Sequence, residues 1–166
     1  MHSPFYIISD NHFMMKNTSS EKDRREKLFK VFNLIKKEGK GTLIIGGDFF
    51  DFWFETKNIV PKGYENLIVA LQELNDAGIE IHFIAGNHDY WDFGYLQRTA
   101  NINFHKGDLK FMLNGKNILI THGDGLLKND YGYRFMKKII RHPIFISIFK
   151  LIPPQISFKI ANSISR

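Results

Sequence analysis

The stretch Thr42-Leu43-Ile44-Ile45-Gly46-Gly47-Asp48 indicates the fold of this chain. A short apolar run rich in β-branched residues is typical of a strand buried on both faces, and Gly-Gly-Asp ends it. Two further runs have the same form: Phe5 to Ile8 stops at Ser9-Asp10, and Glu80 to Ala85 stops at Gly86-Asn87-His88-Asp89. Three buried strands, each followed by polar residues, predict a sheet with a site at one edge.

Helices are predicted between these strands. Thr18-Ser19-Ser20-Glu21 has the pattern of a capping box, and Gly39 is predicted to end the helix that follows. Its apolar face is predicted to contain Leu28, Val31, Phe32 and Ile35. A second helix is predicted from about Tyr64 to Ala77. Strands and helices that alternate in this way favour an α/β fold with parallel neighbouring strands.

An antiparallel part is predicted to follow. Asn114-Gly115 separates two apolar runs, Leu109 to Leu113 and Asn117 to Ile120, which is a strong hairpin signal. The second arm ends in Thr121-His122-Gly123-Asp124, another polar motif directly after a strand.

Ligands of open α/β sheets bind beyond the carboxyl ends of the strands, which is where these motifs fall. The candidate metal ligands are Asp10, His12, Asp48, Asn87 and His122. The chain has no cysteine, so a metal would be held by oxygen and imidazole, a donor set that suits Mn²⁺, Fe²⁺, Zn²⁺ or Co²⁺ better than Ca²⁺. Two such ions, roughly 3.5–4 Å apart, would activate water against a phosphorus centre.

Each motif taken alone has a simpler interpretation. Asp or Asn after a strand is often a helix cap or a turn former. A single histidine is more often structural than metal-binding, which is our interpretation of His2, His82, His105 and His142. Asp51, Asp89 and Asp124 are residues that a turn or an outer layer of the site would also use. The ordered combination of the motifs is what favours a metal site.

The motifs resemble those of the calcineurin-like metallophosphoesterases: Asp-x-His at Asp10, Gly-Asp-x-x-Asp at Gly47, Gly-Asn-His-Asp at Gly86 and a later His-Gly at His122. The resemblance implies a β-sandwich flanked by helices. It implies one metal on Asp10 and His12, a second on Asn87 and His122, and Asp48 bridging both. It also implies a catalytic role for His88, which would protonate the leaving group or stabilise the transition state and be oriented by Asp89.

A closer resemblance is to the UDP-2,3-diacylglucosamine hydrolases of Bacteroidetes-type bacteria. It is carried by residues 50–55, 60–64, 122–125 and 130–133. That family cleaves the diphosphate of a nucleotide-activated lipid A precursor and releases UMP and 2,3-diacylglucosamine 1-phosphate. The enterobacterial form has arginine where this chain has His88. The resemblance implies two divalent ions, Mn²⁺ foremost, and a nucleotide-linked lipid substrate.

The charge divides the chain into two predicted regions, a phosphoesterase core at 1–130 and a basic, apolar helical cap at 131–166. The second region carries seven basic residues, Lys159 and Arg166 among them, and no acidic residue, whereas the first sums to −1. The cap is expected to contact acyl chains or an anionic inner-membrane surface; alternatively, its apolar residues dock on the sheet. It is too apolar to favour nucleic acid. Predicted substrate-binding residues are Asp124, Tyr131, Arg134, Lys137 and Arg141.

The first residues contain no signal-peptide pattern and no run is long enough to cross a bilayer, so we expect a cytoplasmic protein, either free or peripheral on the cytoplasmic face of the inner membrane. The Gly-His-x-His motif that the family has near its C-terminus is absent up to Arg166. We therefore expect a C-terminally truncated enzyme or a natural short form. Two alternatives stay open: another calcineurin-like phosphoesterase, or an inactive remnant that serves as a scaffold.

Overall fold

A computed structural model describes residues 1–55, 60–127 and 129–152. Four strands form one parallel sheet and follow each other in chain order: β1 (Phe5–Ile8), β2 (Gly41–Ile45), β3 (Ile79–Ile84) and β4 (Asn103–His105). A separate antiparallel hairpin consists of β5 (Leu109–Leu113) and β6 (Lys116–Ile120). The helices are α1 (Ser19–Glu38), α2 (Glu65–Asp76), α3 (Tyr95–Ala100), α4 (Tyr131–Ile140) and α5 (Pro143–Phe149). The predicted α/β class, with parallel strands before a hairpin, is confirmed.

The two faces of the parallel sheet pack against different partners, because side chains alternate along a strand. Leu43 and Ile45 of β2 contribute to the main core, together with apolar residues of α1, α2 and α3. Ile44, which lies between them, packs with Ile84 and Leu109 where the hairpin covers the sheet. Helices on one face and a hairpin on the other leave the carboxyl ends of the strands to carry loops.

Helix α1 begins and ends as its sequence predicts. The side chain of Thr18 accepts a hydrogen bond from the Glu21 N–H at 3.2 Å, and Gly39 ends the helix in the left-handed conformation with φ 63°. Only this half of the capping box forms, since the Glu21 carboxylate bonds elsewhere. The predicted apolar face is buried at Leu28, Phe32 and Ile35, whereas Val31 is exposed.

The last two helices are attached differently. None of the ten described residues of α4 is buried. In α5, Phe149 packs among Phe52, Phe54 and Trp91, so α5 docks on aromatic residues of the loops that follow β2 and β3. Lys159 and Arg166 lie outside the described residues. In the part of the chain that the structure describes, no helix is both long and apolar enough to cross a bilayer.

Candidate metal centre

Polar residues lie just beyond the ends of four strands: Asp10 after β1, Asp48 after β2, Asn87 after β3 and His122 after β6. Backbone hydrogen bonds tie the first two loops together. The Asp10 N–H donates to the Gly47 carbonyl at 3.0 Å, and the His12 N–H donates to the Asp48 carbonyl at 2.8 Å. The parallel pairing of β1 with β2 therefore continues into the loops and brings their side chains side by side.

Three of the candidate ligands have left-handed backbones, with φ values of 53° at Asp10, 45° at His12 and 50° at Asp48. This conformation is unfavourable for a residue with a Cβ, and it persists where the surroundings over-determine it. Such residues cluster at functional sites. The backbone at this edge is therefore shaped to aim side chains rather than to continue the strands.

Two glycines allow the loops to approach each other. A Cβ at Gly47 would lie 2.5 Å from Nδ1 of His122, and a Cβ at Gly86 would overlap the carboxylate of Asp48 and lie 2.6 Å from its backbone nitrogen. The imidazole of His122 and the carboxylate of Asp48 thus occupy space that any other residue type at these positions would fill.

Asp48 lies at the middle of the donor set. Its Oδ2 is 3.3 Å from Nε2 of His122 and 3.6 Å from Nε2 of His12, and Nε2 of His122 is 3.4 Å from Oδ1 of Asn87. Donor atoms of Asp10, Asp48 and His122 all lie within 4.8 Å of one another. Carboxylate and imidazole donors that converge in this way fit a divalent transition-metal ion.

Asp48 and His122 shift each other's pKa in opposite directions, because the carboxylate and the imidazolium attract each other. Burial acts to raise the pKa of Asp48, but hydrogen bonds from His122 and from the His88 N–H outweigh it, so the pKa is lowered. The hydrogen bond to Asp48 is also the main cause that raises the pKa of His122, to about 9. Nδ1 of His122 donates to the Gly46 carbonyl at 2.9 Å, which leaves Nε2 as the nitrogen that would bind a metal.

A second group of donors consists of His12, Asp51 and His88. The rings of His12 and His88 meet edge to face with centroids 4.6 Å apart, and Nδ1 of His12 is 4.0 Å from Oδ1 of Asp51. His12 therefore lies between two sets of donors, near Asp48 on one side and near Asp51 and His88 on the other. From the sequence, Asp51 is interpreted as a turn residue or an outer residue of the site. The position of Asp51 at the end of the Gly-Asp-x-x-Asp motif is the feature of the sequence that indicates a place in the site.

The side chain of His88 is oriented by Asp51 through a backbone carbonyl. Nδ1 of His88 lies 2.5 Å from that carbonyl oxygen, which can only accept, so Nδ1 carries a hydrogen and is not available to bind a ligand. Asp89, expected to orient this ring, instead accepts from the Gly86 and Phe49 N–H groups, each at 2.8 Å. Asp89 thus fixes the loop that carries His88 rather than its imidazole.

Asp89 is fully buried, and burial together with repulsion from Asp48 raises its pKa to about 7. Its backbone partners Phe49 and Gly86 belong to the loops after β2 and β3. One carboxyl group thereby holds these two loops in a fixed relation.

Among the predicted substrate-binding residues, Lys137 and Arg141 bond Asp124, whose Oδ2 accepts from them at 2.7 and 3.2 Å. Tyr133, which the sequence did not single out, donates to the same oxygen at 2.9 Å. Arg141 also donates to the Gly86 carbonyl at 3.2 Å and lies 4.2 Å from the ring centroid of Tyr90, which ties α4 to the Asn87 loop. Arg134, Lys137 and Arg141 line a pocket of about 320 Å³ beside Asp124. Tyr131, the first residue of α4, is 72% exposed.

Comparison with known proteins identifies the family of this chain. The family model for calcineurin-like phosphoesterases matches residues 3–154. The UDP-2,3-diacylglucosamine hydrolase of Porphyromonas gingivalis is 31% identical over 166 residues, 99% of this chain and 63% of that protein. Proteins of the same name from Pseudomonas fluorescens and Ectopseudomonas mendocina are 29% and 28% identical, over 95% of this chain and 61% and 63% of their own lengths.

The chain thus spans about three fifths of the length of these curated relatives. The matched residues 3–154 include all four strand-end motifs, and their side chains meet around Asp48. This chain belongs to the calcineurin-like phosphoesterase family.

Proposed function

We propose that this chain carries the two-metal centre of a hydrolase that cleaves the diphosphate of UDP-2,3-diacylglucosamine, yielding UMP and 2,3-diacylglucosamine 1-phosphate for lipid A synthesis. The observation that carries the proposal is the convergence of carboxylate, imidazole and amide donors on Asp48. The substrate is inferred from the names of the relatives from three bacteria.

In this proposal Asp10, His12 and Asp48 hold one ion, and Asp48, Asn87 and His122 hold the other. Mn²⁺ is the first candidate, with Fe²⁺, Zn²⁺ and Co²⁺ as alternatives for the same mixed donor set. Two bound cations supply Lewis acidity towards the phosphoryl oxygens and lower the pKa of the attacking water. The hydrogen bond from His122 to the Gly46 carbonyl supports this role, since it presents Nε2 to an ion.

His88 is the proposed acid or charge-stabilising residue. Its backbone N–H donates to Oδ1 of Asp48 at 2.9 Å, and its Nδ1 bonds the Asp51 carbonyl, so both the loop and the ring are fixed with Nε2 available to the leaving group. Asp89 assists as a positioning residue by holding the loop through the Gly86 N–H.

We propose that Arg134, Lys137 and Arg141, which lie on α4 or directly after it, bind the diphosphate of the substrate. Lys137 and Arg141 bond Asp124, and this pairing lowers the pKa of Asp124 against the opposing effect of burial, so that the carboxylate keeps both cations in place. Arg134 lines the same pocket, and Tyr131, which is exposed at the start of α4, is proposed as a further substrate contact.

The exposed face of α4 and α5 is proposed to lie on the anionic cytoplasmic surface of the inner membrane, where the lipid substrate resides. Ile139, Ile144, Phe145 and Ile148 form an apolar groove with Lys138 at its side. Apolar side chains beside lysine and arginine are typical of segments that bind an anionic interface.

The proposal is tested by metal content and by Mn²⁺-dependent release of UMP from UDP-2,3-diacylglucosamine, with bis-p-nitrophenyl phosphate as a generic diester. Two bound ions and UMP release, both lost in Asp48→Ala, are the expected result. Hydrolysis of the generic diester alone would assign the chain to another phosphoesterase activity. Absence of both metal binding and hydrolysis with any divalent ion would identify an inactive scaffold.

A further inference from the structure

The start of α1 is joined to the loop after β1 by a buried carboxylate. Glu21 is fully buried, and its Oε1 accepts from the Met14 N–H and from Nε of Arg25, each at 3.1 Å. Its Oε2 accepts from Nη1 of Arg24 at 2.9 Å. A buried carboxylate requires such partners on both oxygens, so Glu21 fixes the two neighbouring arginines in place.

The two arginines have different partners. Arg25 is buried and donates to the Gly63 carbonyl at 2.9 Å and to Oδ1 of Asn66 at 2.8 Å, so it joins α1 to the beginning of α2. It also donates to the Met14 carbonyl. These contacts make Arg25 part of the framework of the fold.

Arg24 contacts the candidate metal loop. Its Nη1 lies 3.4 Å from the His12 carbonyl, its Nη2 donates to the Asn11 carbonyl, and its guanidinium lies 5.2 Å from the ring centroid of Phe13. The side chain is 40% exposed, so it contributes little to the core. Its donors serve the peptide groups on the two sides of the His12 α-carbon.

Together with two backbone hydrogen bonds, these contacts form a clamp on His12, which consists of Arg24 and the carbonyl groups of Asp48 and Phe49. The His12 N–H is held by the Asp48 carbonyl at 2.8 Å and the Phe13 N–H by the Phe49 carbonyl at 2.9 Å, while Arg24 holds the carbonyl side. The residue is kept at φ 45°, where its Nε2 lies 3.6 Å from Oδ2 of Asp48. The direction of the imidazole is set by a backbone that is disfavoured without these bonds.

We propose that Arg24 is a positioning residue of the metal centre, which holds the peptide groups of Asn11 and His12 so that the His12 imidazole faces Asp48. The inference rests on the proposed two-metal function. It separates the roles of two adjacent arginines: Arg25 supports the fold, and Arg24 supports metal binding through His12.

The test compares Arg24→Met and Arg24→Lys with Lys27→Met, a matched control that removes one charge from an exposed site of the same helix. Mn²⁺ binding is titrated by electron paramagnetic resonance of the free ion, and amide hydrogen exchange is measured on the metal-free chains. In Arg24→Met we expect one Mn²⁺ dissociation constant to rise about 10–100-fold and exchange at His12 and Phe13 to accelerate. Arg24→Lys should lose less affinity, and Lys27→Met should match the parent.

Parental Mn²⁺ affinity and parental exchange in Arg24→Met would overturn the inference. A fall in the melting temperature of metal-free Arg24→Met as large as that of Arg25→Met would also overturn it, because Arg24 would then be a framework residue. If the parent itself bound no Mn²⁺, the proposed function would fail, and accelerated exchange confined to His12 and Phe13 would still support the clamp.

Discussion

Gly86 lies directly against the carboxylate at the middle of the candidate metal centre. Its φ is not in the left-handed region, so the position requires glycine for space alone, and an added Cβ would overlap Asp48. We expect Gly86→Ala to displace the Asp48 carboxylate and abolish high-affinity Mn²⁺ binding, measured by metal titration. Gly107→Ala is the matched control, because a Cβ there meets nothing within 4 Å. Equal Mn²⁺ affinity of the two variants would show that the loop yields at little cost.

His88 is the residue for which chemistry and metal binding can be separated. Its Nδ1 is engaged with the Asp51 carbonyl, and its Nε2 is assigned to the leaving group rather than to an ion. We expect His88→Ala to lower kcat about 10²–10⁴-fold, the usual contribution of a positioned acid or base, with metal content unchanged. His2→Ala, at the opposite end of the strands, should leave both unchanged. Loss of metal from His88→Ala would contradict the assigned role.

At the scale of the elements, edge strand β4 is held to β3 through a pair of imidazoles as well as by the ladder. Nε2 of His105 lies 2.9 Å from Nδ1 of His82, whose Nε2 lies 2.8 Å from Oε1 of Glu80. Because Nε2 of His82 donates to the carboxylate, its Nδ1 accepts a hydrogen bond from Nε2 of His105. Burial first, and then the facing His82, lower the pKa of His105.

The pH dependence follows from that direction. The unfolded chain protonates His105 near its ordinary pKa of about 6.5, whereas the folded chain protonates it only at lower pH, so stability is retained above this value and lost as pH falls below it. We expect the free energy of unfolding of the parent, from urea titrations at several pH values, to fall more steeply in acid than that of His105→Gln. Equal slopes would contradict this, since Glu80, His2 and the terminal amine are common to both chains.

The elements also show what the sequence could predict. The runs before Asp10, Asp48 and Asn87 indicated strands because each is apolar and ends in turn-forming residues. The pattern does not predict α3 or β4. Helix α3 has six residues, too few to show a helical period, and β4 pairs with β3 over three residues only. Such elements form because tertiary partners exist, which a local pattern does not contain.

The same limit applies within the site. The order of the motifs predicted that Asp48 and His122 meet, because strand ends share an edge of the sheet. It did not predict that Asp51 would join His12 and His88, or that Arg24 would bond the Asn11 and His12 carbonyls. Those contacts depend on the direction of single backbone carbonyls in irregular loops, and residue types alone do not specify it.

At the scale of the whole molecule, exposed apolar side chains lie on the α4–α5 surface and on the β5–β6 hairpin. On the α4–α5 surface, Ile144 and Ile148 are 65% and 58% exposed and lie in the region that carries the excess positive charge. On the hairpin, Met112 and Leu119 are 71% and 57% exposed. Because the two pairs are similarly exposed, substituting each pair separates the effect of position on membrane binding from the effect of apolar area.

We expect the parent chain to sediment with vesicles that contain phosphatidylglycerol and not with pure phosphatidylcholine, and to be released by salt, because basic residues near an anionic surface contribute about 1 kcal/mol each. Ile144→Ser with Ile148→Ser should lower partitioning more than tenfold, since burying each isoleucine contributes about 1.5–3 kcal/mol. Met112→Ser with Leu119→Ser removes a similar apolar area from the hairpin and should partition like the parent. Equal losses in the two double variants would show that binding depends on general hydrophobicity. Binding to neutral vesicles without salt dependence would exclude the basic surface as the part that recognises the membrane.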